Sequence, residues 1–180
     1  IASKPYDVFS AEEARVEATR NKLSFIHVER SDVDLPEDYD CYGDAVYAKA
    51  RENLLANERE GRMQSDPVPS FYIYTLAAYG RVQNGLVGVS SIDDYERGLV
   101  KKHENTREDK ELDRTRHIDS CGANTGPVFL LHKSSTGLSA AIESWKSAHE
   151  PEFRFTSDDG VLHTGWKVSN RDAIDKIRGK

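Results

Sequence analysis

The sequence predicts an α/β (α+β) chain, a mixed sheet with antiparallel hairpins flanked by helices. Three observations predict it. FYIYTLAAYG (71–80) and VQNGLVGVSSI (82–92) are rich in β-branched and aromatic residues around a Gly80-Arg81 turn. FRFT and VLHTGWKV flank Ser157-Asp158-Asp159-Gly160, whose Asp-Gly pair is a strong hairpin signal. Segments with helical periodicity and recognisable caps lie before, between and after these strand pairs. No repeat, low-complexity tract or linker divides the 180 residues, so 1–180 reads as a single domain. The chain opens on Ile1 and closes at Lys180 within a helix-like pattern, which reads as a piece of a longer polypeptide.

In chain order, KPYDVFSAEEARVEATRN turns helical after Ser10. Ser10 is a natural N-cap, Glu13 completes a capping box, and Asn21 marks the stop. LSFIHV (23–28) reads as a short buried strand. SDVDLPEDYD is a polar turn region interrupted by Pro36. AVYAKARENLLANEREG reads as a second helix, with Val46, Ala50, Asn53, Leu54 and Asn57 on adjoining rows and Gly61 at its C-cap. Beyond the first strand pair, DDYERG ends the second strand and leads into a charged segment. PVFLLH (127–132) reads as another buried strand, and GLSAAIESWKSA (137–148) as an amphipathic helix. NRDAIDKIRGK begins a last helix capped by Asn170.

Composition narrows the function classes. Hydrophobic residues make up a low 37%, but six Phe, eight Tyr and two Trp supply enough area for a core. The net charge is −6 with both signs mixed, so the chain is a poor partner for duplex nucleic acid. Local basic clusters still suit a small anion. No apolar run approaches the roughly 20 residues of a membrane span, and no signal peptide is visible. Cys41 and Cys121 lie far apart and outside any CxxC pattern, which places the chain in a reducing cytoplasm with free thiols. There is no GxSxG, no Walker GxxxxGK[ST] and no GxGxxG.

The densest polar stretch is KKHENTREDKELDRTRH (101–117), in which Leu112 is the one apolar side chain. Thr106, with Asp109 three residues on, is a plausible helix start. A helix from Arg107 to about Ser120 puts Lys110, Asp113, Arg114, His117 and Cys121 on one face. Glu108, Glu111, Leu112, Thr115 and Asp119 take the other, and neither side has a broad apolar stripe. Such a helix is either exposed or held by something other than hydrophobic burial. The plain reading is a solvated helix laced with ion pairs, each worth only ~0.3–0.5 kcal/mol. The functional reading is a cationic strip of Lys110, Arg114 and His117 suited to phosphate or carboxylate. Asp113 would then orient His117 or act as a base, with His103 and Glu104 near the helix start. The spacing from His103 to His117 is no metal signature, and no metal is expected. Cys121 lies at the negative helix end, which disfavours a thiolate. His27, on an apolar run, reads as a core histidine, and His132 and His163 read as structural.

Several motifs in order carry a resemblance: KPYDV, LSFIHV, DLP, YAKARENL, FYIY, KKHENTREDKELDRTRH, NTGPVFL and DDGVLHTGWKV. Over essentially all 180 residues the chain resembles the bacterial and archaeal family catalogued as domain of unknown function 1015. The family's polar signature falls on His103, Glu104, Thr106, Lys110, Glu111, Asp113, Arg114 and His117, and Pro5, Tyr6 and Asp7 match its N-terminal signature. In that family the chain continues into an Asp-Gly-His-His-Arg motif, similar to that of ParB-type domains including free-serine kinases. That motif has no counterpart here, so the resemblance implies an N-terminal portion holding an incomplete site.

The expectation is a cytoplasmic enzyme, or part of one, that handles a small phosphorylated metabolite or nucleotide. Phosphoryl transfer to a small amino acid such as serine is one such reaction, with a nucleotide and magnesium as compatible cofactors. The catalytic candidates are His103, Glu104, Asp113 and His117. Thr106, Lys110 and Arg114 are the phosphate-binding candidates, with Tyr6 and Asp7 in addition. The alternative is a non-catalytic regulatory domain that binds an anionic metabolite.

Overall fold

A computed structural model describes residues 2–102 and 105–179. Its helices are α1 (Ala11–Arg20), α2 (Ile26–Glu29), α3 (Asp44–Arg59), α4 (Ile92–Glu96), α5 (Glu108–Cys121), α6 (Thr136–Ala148) and α7 (Arg171–Ile177). Its strands are β1 (Phe71–Ala78), β2 (Arg81–Val87), β3 (Phe153–Thr156) and β4 (Leu162–Val168). The class is α+β, and every described strand pair is antiparallel, in the order β2-β1-β4-β3. Contacts divide the chain into two compact units, one running up to Ser65 and adding Lys102–Leu130, the other holding Asp66–Lys101 and the chain from Leu131.

The first unit holds α1, α2, α3 and α5. The capping box of α1 forms as expected: the Ser10 hydroxyl accepts from the Glu13 amide at 3.2 Å, and the Glu13 carboxylate accepts from the Ser10 amide at 2.8 Å. Ala14 and Ala18 are buried against Ile26, with Phe9 and Val33 beside them. LSFIHV is not a strand; its second half enters α2. Six apolar-rich residues are too few to separate the two periods, and local polar groups decide the outcome. Asn21 Oδ1 accepts from the Leu23 amide at 3.2 Å, and the Ser24 carbonyl accepts from the His27 amide at 3.2 Å, winding the chain into a turn. The expected face of α3 is buried at Val46, Ala50, Leu54 and Asn57, with Tyr47 beside them. Gly61 follows α3 in the left-handed conformation at φ 71°, as a helix C-terminus favours.

The second unit is built on the sheet. β1 and β2 pair with Ala78 opposite Arg81, so the two-residue turn is Tyr79-Gly80, one position before the expected one. Both turn residues have positive φ, 50° and 73°, which matches the twist of a tight hairpin. The Asp-Gly hairpin joins β3 to β4 as expected. Ile73 and Val168 are fully buried with Ile142 of α6, and Leu138, Trp145, Trp166, Ile174 and Ile177 pack on them. A Cβ on Gly165 would lie 2.3 Å from the Phe153 ring, so a side chain there would have to displace that ring. DDYERG contributes to α4 instead of serving only as a connection.

PVFLLH forms no strand among the described residues. Val128, Phe129 and Leu131 are 76%, 71% and 86% exposed. An apolar run becomes a buried strand only where a neighbour offers both pairing and cover, and this run pairs with none of the four described strands.

Candidate functional site

α5 is the charged helix, and its interior side is polar. Its only buried residues are Asp113 and His117. A polar face loses water on burial and must recover those hydrogen bonds within the protein. Asp113 does so with both oxygens. Oδ1 accepts from the Tyr47 hydroxyl of α3 at 2.9 Å, and Oδ2 accepts from Arg114 Nε at 3.1 Å and Nη2 at 2.9 Å. His117 Nε2 lies 2.9 Å from the Val28 carbonyl of α2; a carbonyl only accepts, so Nε2 carries the proton. At the end of α5, the Ser120 hydroxyl donates to the Tyr47 carbonyl at 2.9 Å, and Arg51 donates to the Ser120 carbonyl at 3.0 Å.

Arg114 joins this face to α2 and to the N-terminal turn. Its Nη1 donates to Glu29 Oε2 at 3.3 Å, and its guanidinium lies 4.2 Å from the centre of the Tyr6 ring. Glu29 is only 8% exposed, and its second oxygen, Oε1, is buried with no hydrogen-bond partner among the described residues. The loop carrying the NTG sequence passes beside it, since a Cβ on Gly126 would stand 3.8 Å from Oε2. Two carboxylates, Glu29 and Asp113, thus surround one guanidinium, and the cluster carries a formal charge of −1.

The surroundings shift three titrations. Burial first, and then the hydrogen bond to Asp113, push the Tyr47 hydroxyl up to about 12. Burial, followed by the nearby Glu29 charge, raises the Cys121 thiol. Lys110 is raised by its 2.9 Å hydrogen bond to the Tyr42 hydroxyl.

The structure therefore brings Tyr6, Asp113, Arg114 and His117 together. Lys110 points instead to Tyr42, on the ring of which it also sits at 5.4 Å. Asp7 and Thr106 are exposed. Thr106 does not cap α5: the N-cap is Arg107, with no side-chain cap bond. Arg107 forks onto both oxygens of Asp109 at 3.0 and 2.7 Å, which takes the carboxylate that a capping box would need. His103 and Glu104 lie outside the described residues.

Glu29 is the residue that sequence reasoning missed. Its one signal was an acid placed directly after an apolar run with no turn residue between. His163, read as structural, holds the Tyr74 hydroxyl at 2.5 Å and the Ser157 hydroxyl at 2.9 Å in the second unit. Among the described residues, no group of three or more His, Cys, Asp and Glu is placed to hold a metal ion. Among the described residues, no helix is long and apolar enough to cross a membrane.

Chemically, the cluster offers one unused acceptor, held in place by an arginine that is already neutralised. Such a site receives a donor, either a hydroxyl or an ammonium group. In comparisons with known proteins, the model of the family described as protein of unknown function (DUF1015) matches residues 1–180. No curated protein and no solved structure matches the chain.

Proposed function

We propose that this chain, which belongs to the DUF1015 family, is part of a cytoplasmic enzyme that acts on a small phosphorylated metabolite or nucleotide, with Glu29 receiving the acceptor substrate. The observation that supports this reading is the buried Oε1 of Glu29, which has no partner among the described residues. A buried acceptor left without a donor costs about 1–3 kcal/mol, and more when it is charged. A ligand that brings a hydroxyl or ammonium group removes that cost. A small amino acid such as serine carries both.

In the reaction, the substrate hydroxyl oxygen forms the new bond to phosphorus while the bond from phosphorus to the leaving oxygen breaks. The hydroxyl proton passes to Glu29. Positioning and charge neutralisation supply most of the rate in such transfers, and a carboxylate within hydrogen-bond reach serves as the base. Arg114 and Asp113 are positioning residues here. Arg114 faces two carboxylates, so it orients Glu29 and is not the cation that meets phosphate. Lys110, which shares its ammonium only with the neutral Tyr42 hydroxyl among the bonds described, takes that part. A nucleotide with magnesium supplies the phosphoryl group.

The test is formation of phosphoserine from serine with ATP or ADP and magnesium. Glu29→Gln is expected to lower turnover by at least about a hundredfold, in the range typical of losing a general base, while leaving the far-ultraviolet dichroism unchanged. No transfer, together with no nucleotide-dependent rise in Tm, would sink the proposal. Binding of an anionic metabolite without turnover, lost in the Lys110→Ala/Arg114→Ala double variant, would favour the regulatory binding domain instead.

A further inference from the structure

A second constellation lies on the other side of α2. His27 and Glu29 are two residues apart on a helix, so their side chains leave it about 200° apart. His27 faces a cavity of about 400 Å³ whose lining includes Lys22, Asp34, Lys49, Asn53 and Arg62. Within it, His27 Nδ1 and Asp34 Oδ1 are 2.8 Å apart. The carboxylate accepts, which puts a proton on Nδ1. Asn53 locks the pair by donating to Asp34 Oδ2 at 2.8 Å and to the His27 carbonyl at 2.6 Å. Both the tautomer and the ring orientation are therefore fixed from two sides.

What remains is Nε2. It is buried and has no hydrogen-bond partner among the described residues. An imidazole held this firmly on one nitrogen presents the other to a ligand, and a bare buried nitrogen costs stability until one arrives. The charge of the lining indicates which ligand. Lys22, Lys49 and Arg62 line it together with one carboxylate, Asp34. Lys49 also pairs with Glu52 at 3.1 Å, and Arg62 with Asn57 at 3.0 Å and with Glu60. Counting Glu52 and Glu60 the formal charges balance, but the Lys49 ammonium and the Arg62 guanidinium each keep further N–H donors for an anion.

We propose that this cavity binds the phosphate group of a small phosphate monoester or inorganic phosphate itself. A P–OH group of the singly ionised phosphate donates to His27 Nε2, and Lys49, Arg62 and Lys22 supply the opposing charge. Nε2 is closed off from solvent in this structure, so the lining side chains part when the ligand enters. The site is separate from the Glu29 cluster and does not depend on it.

The test uses the whole chain, labelled with nitrogen-15, titrated with inorganic phosphate and then with glycerol phosphate at constant ionic strength. The His27 Nε2 resonance should move and saturate. Lys49→Gln, a substitution at a rim position, should weaken the binding about tenfold, as expected for loss of one charge-assisted contact. His27→Asn, which keeps a donor for Asp34 and deletes Nε2, should abolish it. Glu29→Gln should leave the titration unchanged, which separates this proposal from the catalytic one. A stationary Nε2 resonance would overturn the inference, as would an affinity that Lys49→Gln leaves untouched. Saturation by glycerol phosphate but not inorganic phosphate would assign the site to monoesters, and the reverse to the free anion.

Discussion

α5 and α6 are helices of nearly equal length, fourteen and thirteen residues, each in a different unit. They are buried by opposite means. α6 puts Ile142 into a core with Ile73 and Val168, flanked by Leu138 and Trp145. α5 buries Asp113 and His117, and reaches α3 and α2 through hydrogen bonds to Tyr47 and Val28. Apolar contact is worth roughly 25 cal/mol per Å² and has no direction. A buried hydrogen bond adds only about 0.5–1.5 kcal/mol net, but it fixes an angle and a register. α6 is held on; α5 is held in place. A helix that gives up hydrophobic stabilisation for directional bonds suits a site whose side chains must be positioned, and Arg114, between Asp113 and Glu29, is what that positioning delivers.

The largest effects should come from removing one anchor from each helix system. Asp113→Ala leaves the Tyr47 hydroxyl and Arg114 without their shared partner and is expected to cost about 3–5 kcal/mol, as for a broken buried ion pair. Ile73→Ala, at a position that is 0% exposed, should cost about 2–5 kcal/mol through the cavity it leaves. Hydrogen exchange separates the two: the first variant should lose protection in α3 and α5, the second in β1 and β4. Asp113→Asn should recover much of the loss if hydrogen bonding holds α5, whereas an unchanged cost in that variant would mean the charge itself is what matters.

The parts of this architecture legible in the sequence are those set by neighbours along the chain. The Ser10 capping box, the α3 face and the Asp-Gly hairpin each depend on residues within a few positions of one another. The spacing placed Lys110, Asp113, Arg114 and His117 on one helical face, and the absence of an apolar stripe left open either an exposed helix or one held by something other than hydrophobic burial. What the face touches was not legible. Glu29 meets Arg114 across 85 positions, and Tyr47 meets Asp113 across 66. The strand reading of LSFIHV compounded this, because in a strand His27 and Glu29 would share one face. In α2 they diverge, one to the cavity and one to the cluster. PVFLLH fails for a related reason: apolar composition states a need for cover but does not supply the partner.

A smaller effect should appear at alkaline pH. The Tyr47 hydroxyl titrates at about 12 in the fold against an ordinary value of 10.0, because burial and Asp113 both oppose a phenolate. The raised group favours the folded state fully below pH 10, and that contribution is lost as pH climbs from 10 through about 12. The loss is on the order of 2 kcal/mol. Tyr74, in the second unit, is raised by burial alone. Urea unfolding across this range should therefore show an alkaline decline that Tyr47→Phe makes shallower. An identical decline in Tyr47→Phe would show that Asp113 does not hold the neutral phenol.

The last contrast is within the first unit and concerns rates. Cys41 is exposed, whereas Cys121 is half-buried at the end of α5, 3.8 Å from His117 Nδ1. Its thiol is raised by burial and by the Glu29 charge, so the reactive thiolate is scarce at neutral pH. The thiol proton has a neighbour to face as well: with His117 Nε2 protonated toward Val28, Nδ1 is the acceptor side of the ring. A maleimide should therefore modify Cys41 first and Cys121 many-fold more slowly, as peptide mapping by mass spectrometry would resolve. Asp113→Ala should raise the Cys121 rate towards that of Cys41, because loosening α5 exposes the thiol, while Ile73→Ala should leave it unchanged. Equal acceleration in both variants would mean that the two ways of burying a helix are energetically one, and the contrast between α5 and α6 would fall.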